Sequence, residues 1–155
     1  MSAEARLAAL SLTLPDVPTP VGAYVPALVD GLTVWTSGQI PLVDGALYAT
    51  GSVGERATDV DMTTAIECAR IAALNGLAAI AAAAGGLDRV RRILRVVGYV
   101  ASAPGFTQQP AVVNGASHLL SDVFGDNGRH ARSAIGVMAL PLGAPVEIEI
   151  LAALH

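Results

Sequence analysis

Three charged side chains, Arg132, Glu147 and Glu149, stand in otherwise apolar sequence near the C-terminus. They lie in HARSAIGVMALPLGAPVEIEI, residues 130–150, which reads as a buried pair of strands. Charged groups are rarely buried unless they are paired or engage a ligand. A guanidinium can fork onto a carboxylate through two parallel N–H···O bonds. A glutamate near such a fork can take a proton from water or return one. Arg132 and Glu147 could therefore hold a small acid and move a proton beside it. The same residues could equally form a solvated, salt-bridged sheet surface worth little energetically. Their spacing alone does not choose between the two.

Other familiar chemistries find no residues here. His118, His130 and His155 have no metal-ligand spacing with Cys, Asp or Glu, so no metal site is expected. The chain has no lysine, which excludes a lysine Schiff base or lysine base. Cys68 is the one cysteine; it excludes an internal disulfide and reads as a small core hydrophobe in a helix. No phosphate loop, dinucleotide glycine fingerprint or serine nucleophile elbow occurs. His118 reads as a surface or boundary residue of a helix. His130, two residues before Arg132, is a candidate for the same site.

Positioning these groups falls to a short list of elements. Residues 22–40 read as two strands around a turn at Asp30-Gly31, and a second Asp-Gly turn follows in a stretch read as a loop with one short strand. Residues 61–84 give the clearest helix, capped by Asp59 or Asp61 and ended by Gly85-Gly86. Ile66, Ala69, Ala73, Leu77 and Ile80 form its apolar stripe, and its alanines permit close packing. A strand at 92–102, a helix at 107–124, and strands at 131–140 and 146–153 complete the order β-β-α-β-α-β-β. This is an α+β fold with a mixed sheet and both helices on one face. Alternation along the last strand sends Val146, Ile148 and Ile150 one way and Glu147, Glu149 and Leu151 the other. On the preceding strand Arg132, Ala134, Gly136 and Met138 share a face. If the β-branched sets face the helices, Arg132 and both glutamates lie on the sheet face away from them.

A chain of 155 residues forms one domain, with residues 1–19 as an arm or short helix and 20–155 as the domain proper. Hydrophobic residues make up 53% and charged residues 14%, against about a quarter charged in an average domain. Such a surface implies cover by a membrane or by another subunit. The longest uncharged helical run, residues 71–87, is short, rich in alanine and interrupted by Asn75, so a packed helix is expected and not a membrane span. The first residues lack the pattern of a signal peptide, and cytoplasmic location is the expectation. The net charge of −4 argues against nucleic acid as a partner. The basic cluster DRVRRILR, residues 88–95, reads as the start of a strand with its arginines on both faces.

Taken together, TSGQIPL at 36–42, ARSAIGV at 131–137 and LP…VEIEILA at 140–153 resemble the Rid family, also called YjgF or L-PSP. The resemblance covers about residues 20–153. It implies a chorismate-mutase-like fold and a homotrimer with sites in the clefts between subunits. It further implies hydrolysis of reactive enamines and imines, such as 2-aminoacrylate, to 2-oxo acids and ammonia, without a metal or organic cofactor. By position in the motifs, Arg132 would hold the substrate carboxylate and Glu147 would position or activate water. Tyr24, Asn114, Ser37 and Gly38 would line the site, and so would Ala134, which replaces a cysteine frequent there. His130 stands where the family usually has proline. A non-catalytic trimer that binds small carboxylic acids, or an RNA-cleaving enzyme, are the alternative readings. Small-molecule imines or 2-oxo acids are the expected partners.

Overall fold

The computed structural model describes residues 1–20 and 22–155. Helix α1 spans Ala3–Ala9, and the hairpin strands β1 and β2 span Ala27–Asp30 and Thr33–Thr36. A two-stranded ribbon follows, β3 (Leu42–Val43) and β4 (Ala46–Leu47). Then come helix α2 (Met62–Ala84), strand β5 (Val90–Ala101), helix α3 (Gln109–Phe124), and strands β6 (Ala131–Val137) and β7 (Val146–Leu154). The main sheet has the order β1-β2-β7-β5-β6, in which only β5 and β6 are parallel. Expected and observed bounds agree within a few residues. The second Asp-Gly turn makes a true ribbon: Asp44 and Gly45 both take positive φ, 51° and 81°, as a tight hairpin turn requires.

Both long helices cover one face of the sheet. The Asp61 side chain accepts the Thr64 N–H at the start of α2, and Gly85 ends it in the left-handed conformation at φ 82°. Ala69, Ala73, Leu77 and Ile80 are buried as the periodicity predicts, together with Ala65, Cys68, Ala72 and Ala79 on neighbouring faces. Glycine lets α3 lie close alongside: a Cβ on Gly115 would strike the Ile66 carbonyl oxygen. Helix α2 is long and apolar enough to cross a membrane, but 67% of its apolar window is buried inside the fold. Its hydrophobicity therefore serves the core. Burial, and then Glu67, push the Cys68 thiol up to about 11, which fits an inert core residue.

Under the helices lie Val34, Ile93, Val96, Val100, Val146, Ile148 and Ile150. Helix α1 adds Leu7 to this core and is tied down by hydrogen bonds between Glu4 N–H and Asp88 and between Leu87 N–H and Glu4. Among the described residues, no helix covers the opposite sheet face. There Leu28 is 59% exposed, Trp35 53% and Ile135 43%, beside Tyr99, Glu147 and Glu149.

Candidate active site

Glu147 lies on the open face of β7, as the alternation predicts, while Val146 and Ile148 on either side of it are fully buried. Its carboxylate is seated over Gly38. A Cβ at residue 38 would fall on Glu147 Oε1, so only glycine leaves that space. The segment carrying Gly38 is fixed against β7 by reciprocal bonds between Gln39 and Ile148, N–H to O at 2.9 Å each way. Ser37 is anchored next to it, its hydroxyl donating to the Val25 carbonyl at 2.6 Å and its N–H to Pro26 O at 2.9 Å. From beneath, the buried Asn75 amide donates to the carbonyls of Ile40 and Leu42, at 3.0 and 3.1 Å. Asn75, an interruption in sequence terms, thus holds the motif loop on the core helix.

Burial, reinforced by the neighbouring Glu149 carboxylate, raises the pKa of Glu147. A half-buried acid of this kind can gain and lose a proton nearer neutrality than an exposed one. Tyr99 pairs with Glu147 across β5 and β7, and its phenol is pushed up by burial and then by Glu149. Glu147, Ser37, Gly38 and Tyr24 line one cavity of about 580 Å³. The wall also includes Pro18, Pro20 and Leu142, which sequence reasoning did not single out. Leu142 is held in the left-handed region at φ 59° by a tight turn.

Arg132 does not join this group within one chain. It pairs in register with Val96, a fully buried residue of the helix-covered face, and its side chain runs up to α3. Nη1 donates to Asn114 Oδ1 at 2.8 Å and to Ser117 Oγ at 3.1 Å, and Nη2 donates to the Pro110 carbonyl at 3.2 Å. The expectation that Arg132 shares the open face with the two glutamates is therefore corrected. On β6 the helix-facing set is Arg132, Ala134 and Gly136, small residues because α3 sits tightly on this edge. Gln109 Nε2 would lie 2.7 Å from a Cβ on Gly136, and Val113 packs onto Gly98. Ile135, a β-branched residue, faces outward instead.

The predicted residues thus form two walls. One holds Tyr24, Ser37, Gly38 and Glu147; the other holds Arg132, Asn114 and Ala134, the last partly buried against the core. In the second wall both Nη1 protons and one Nη2 proton of Arg132 are used. The Nε–H and one Nη2–H have no partner among the described residues, so the guanidinium keeps two donors to offer. Ser117 was not foreseen; its place one helical turn after Asn114 was the available signal. His118 is exposed, as expected. Among the described residues no cluster of His, Cys, Asp and Glu could hold a metal ion.

Comparison with known proteins matches residues 4–154 to a family described as "YjgF/chorismate mutase-like, putative endoribonuclease". The chain is 41% identical over 152 residues to Protein TCP17 of Trypanosoma cruzi, covering 97% of this chain and 93% of that protein. A crystal structure of a "putative endoribonuclease" from Shewanella oneidensis is 32% identical, with a TM-score of 0.93 over 99% of this chain and 100% of the other. Escherichia coli TdcF with bound serine is 25% identical, with a TM-score of 0.61 over 90% and 94% of the two chains.

Proposed function

Because the chain belongs to the YjgF/chorismate mutase-like family, we propose that it is a cofactor-independent hydrolase of enamines and imines that carry a carboxylate. 2-Aminoacrylate is the simplest such substrate, and pyruvate and ammonia are its products. The observation that carries this reading is the Glu147 carboxylate, seated over Gly38 in a cavity and pushed towards protonation.

The chemistry asks for no nucleophile from the protein. The enamine takes a proton from solvent at its terminal carbon and releases one of its N–H protons to solvent, becoming an imine. Water then attacks the imine carbon, and its proton passes through Glu147 to the nitrogen. The resulting carbinolamine expels ammonia as its C–O bond becomes the carbonyl. Glu147 acts first as base and then as acid, a duty suited to a raised carboxylate pKa. Arg132 grips the substrate carboxylate by its free donors and so converts orientation into rate. Asn114 holds that arginine, and Tyr24, Ser37, Gly38 and Ala134 shape the surrounding walls.

One chain presents the two walls on opposite sheet faces. We therefore place the complete site between subunits of a homotrimer, the Arg132 wall of one meeting the Glu147 wall of the next. The exposed Leu28, Trp35 and Ile135 on the open sheet face support such an assembly. Sedimentation at micromolar concentration is expected to give a trimer, and a clean monomer would remove this part of the reading.

Serine in TdcF favours a second reading, a trimer that binds small carboxylic acids without turnover. Pyruvate formation from freshly generated 2-aminoacrylate separates the two. Acceleration above the spontaneous rate, lost in Arg132→Ala and in Glu147→Ala, supports the hydrolase. No acceleration by a folded trimer that still binds pyruvate leaves the binding protein. The description of relatives as endoribonucleases finds less support here, since the site has one arginine to meet a polyphosphate backbone and the chain is acidic overall.

A further inference from the structure

His130 occupies a position the catalytic reading does not use, yet it is wired to Arg132 through one serine. His130 Nδ1 lies 2.6 Å from the Gly128 carbonyl, and Nε2 lies 3.0 Å from Ser117 Oγ. Ser117 Oγ in turn accepts from Arg132 Nη1. Serines within helices commonly turn the hydroxyl back onto the carbonyl one turn earlier. Ser117, on α3, instead faces two side chains from the β6 edge.

The direction of every bond in this chain is determined. A carbonyl oxygen only accepts, so Nδ1 carries the imidazole proton. Burial of the ring opposes a second proton, and so does Arg132 nearby. Nε2 therefore presents a lone pair, and the Ser117 hydroxyl must give it its hydrogen. That leaves the serine oxygen facing Arg132 as an acceptor. With Asn114 Oδ1 it consumes both Nη1 protons, and the guanidinium has only its Nε–H and one Nη2–H left to offer.

We propose that Ser117 and His130 are positioning residues for Arg132: neutral His130 orients the Ser117 hydroxyl, and Ser117 turns the free donors of the guanidinium towards an incoming carboxylate. An arginine at the start of an edge strand has many rotamers, and an N–H that faces a fixed acceptor has few. The pair acts through Arg132 and does not touch the ligand. The inference rests on the assignment of Arg132 as carboxylate anchor, so its test must fail separately from that assignment.

The test is calorimetric titration of the purified protein with pyruvate, alongside steady-state turnover of 2-aminoacrylate. Ser117→Ala removes the hydroxyl at little cost to packing and is expected to weaken pyruvate binding about tenfold. KM should rise correspondingly while kcat stays within about twofold, because Glu147 is untouched. Ser117→Thr keeps the hydroxyl and should restore near-native affinity. His130→Phe keeps a ring without the acceptor and should reproduce the loss seen in Ser117→Ala. In an Arg132→Ala background, Ser117→Ala should have no further effect, the signature of action through one group. Native affinity in Ser117→Ala together with loss in Arg132→Ala would overturn the relay and leave the anchor standing. Native affinity in Arg132→Ala, or no binding by the native protein, would overturn both. An equal loss on adding Ser117→Ala to Arg132→Ala would make the serine a structural residue and sink the proposal.

Discussion

The two walls of the candidate site are built on opposite physical principles. Around Glu147 the protein removes alternatives by closeness: a glycine with no room for a methyl, a carboxylate stripped of part of its water, and a second carboxylate nearby. Around Arg132 it removes alternatives by saturation: three of five N–H groups are given acceptors, so the remaining donors are defined by subtraction. The first arrangement destabilises a charge and makes a proton mobile. The second satisfies a charge and makes it a fixed grip. A site that must both hold an anion and shuttle a proton needs both, and needs them apart, because a guanidinium against Glu147 would hold that carboxylate ionised.

Substitutions that separate holding from proton transfer bear on this contrast most strongly. Glu147→Gln is expected to lower turnover by about a thousandfold while changing pyruvate affinity less than about threefold. Arg132→Ala is expected to weaken pyruvate binding by about a hundredfold, with turnover falling in parallel. Equal effects of the two variants on binding would erase the division of labour. Gly38→Ala pushes the Glu147 carboxylate from its seat, and turnover should drop between about tenfold and a hundredfold with pyruvate affinity preserved.

Smaller effects read the electrostatics. The proposed reaction uses the base form of Glu147, so log(kcat/KM) should fall on the acid side. Because the pKa of Glu147 is raised, that limb should sit at higher pH than an ordinary glutamate would give. Glu149→Gln removes a like charge and should move the limb to lower pH, though not fully, since burial is the larger cause. On the other wall, His130 resists protonation when folded but takes a proton near pH 6.5 when unfolded. The unfolded state then binds the extra proton, so stability is complete above that value and declines as pH falls below it. Burial of the ring is the larger cause of that resistance, and Arg132, to which Ser117 links His130, adds to it. Denaturant midpoints for the native protein and His130→Phe, compared from pH 7.5 to 5.5, should converge as the pH is lowered.

Much of the first wall was legible in the sequence. The alternation V-E-I-E-I fixes which residues of β7 are core and which are open, because a central strand under helices must bury one full set. The same rule misplaced Arg132. It takes the bulkier, β-branched set to be the covered one, which holds where helix and sheet stand at ordinary separation. At the β6 edge α3 sits too close for that, and the covered set is Ala134 and Gly136, so bulk pointed the wrong way. Asn114 was found through motif resemblance, and its bond to Arg132 is a tertiary fact with no local pattern behind it. Ser117 has only its place one turn after Asn114 as a sequence signal, and the fold alone brings it to His130.

Every acceptor that aims Arg132 from above, the Pro110 carbonyl, Asn114 and Ser117, belongs to one rigid helix, and that helix rests on α2 at Gly115. Glu147 is mounted on a different support, an inner strand braced through Gln39 and Asn75. The seat of this helix on α2 therefore sets where the guanidinium points, while the arginine backbone stays on β6. Substitutions at the α2–α3 contact, far from any reacting atom, could then change the span between grip and proton shuttle as a mechanic tilts one jaw of a vice. A lineage of such proteins could fit longer or shorter substrates by repacking alanines, with every residue that performs the chemistry left as it is.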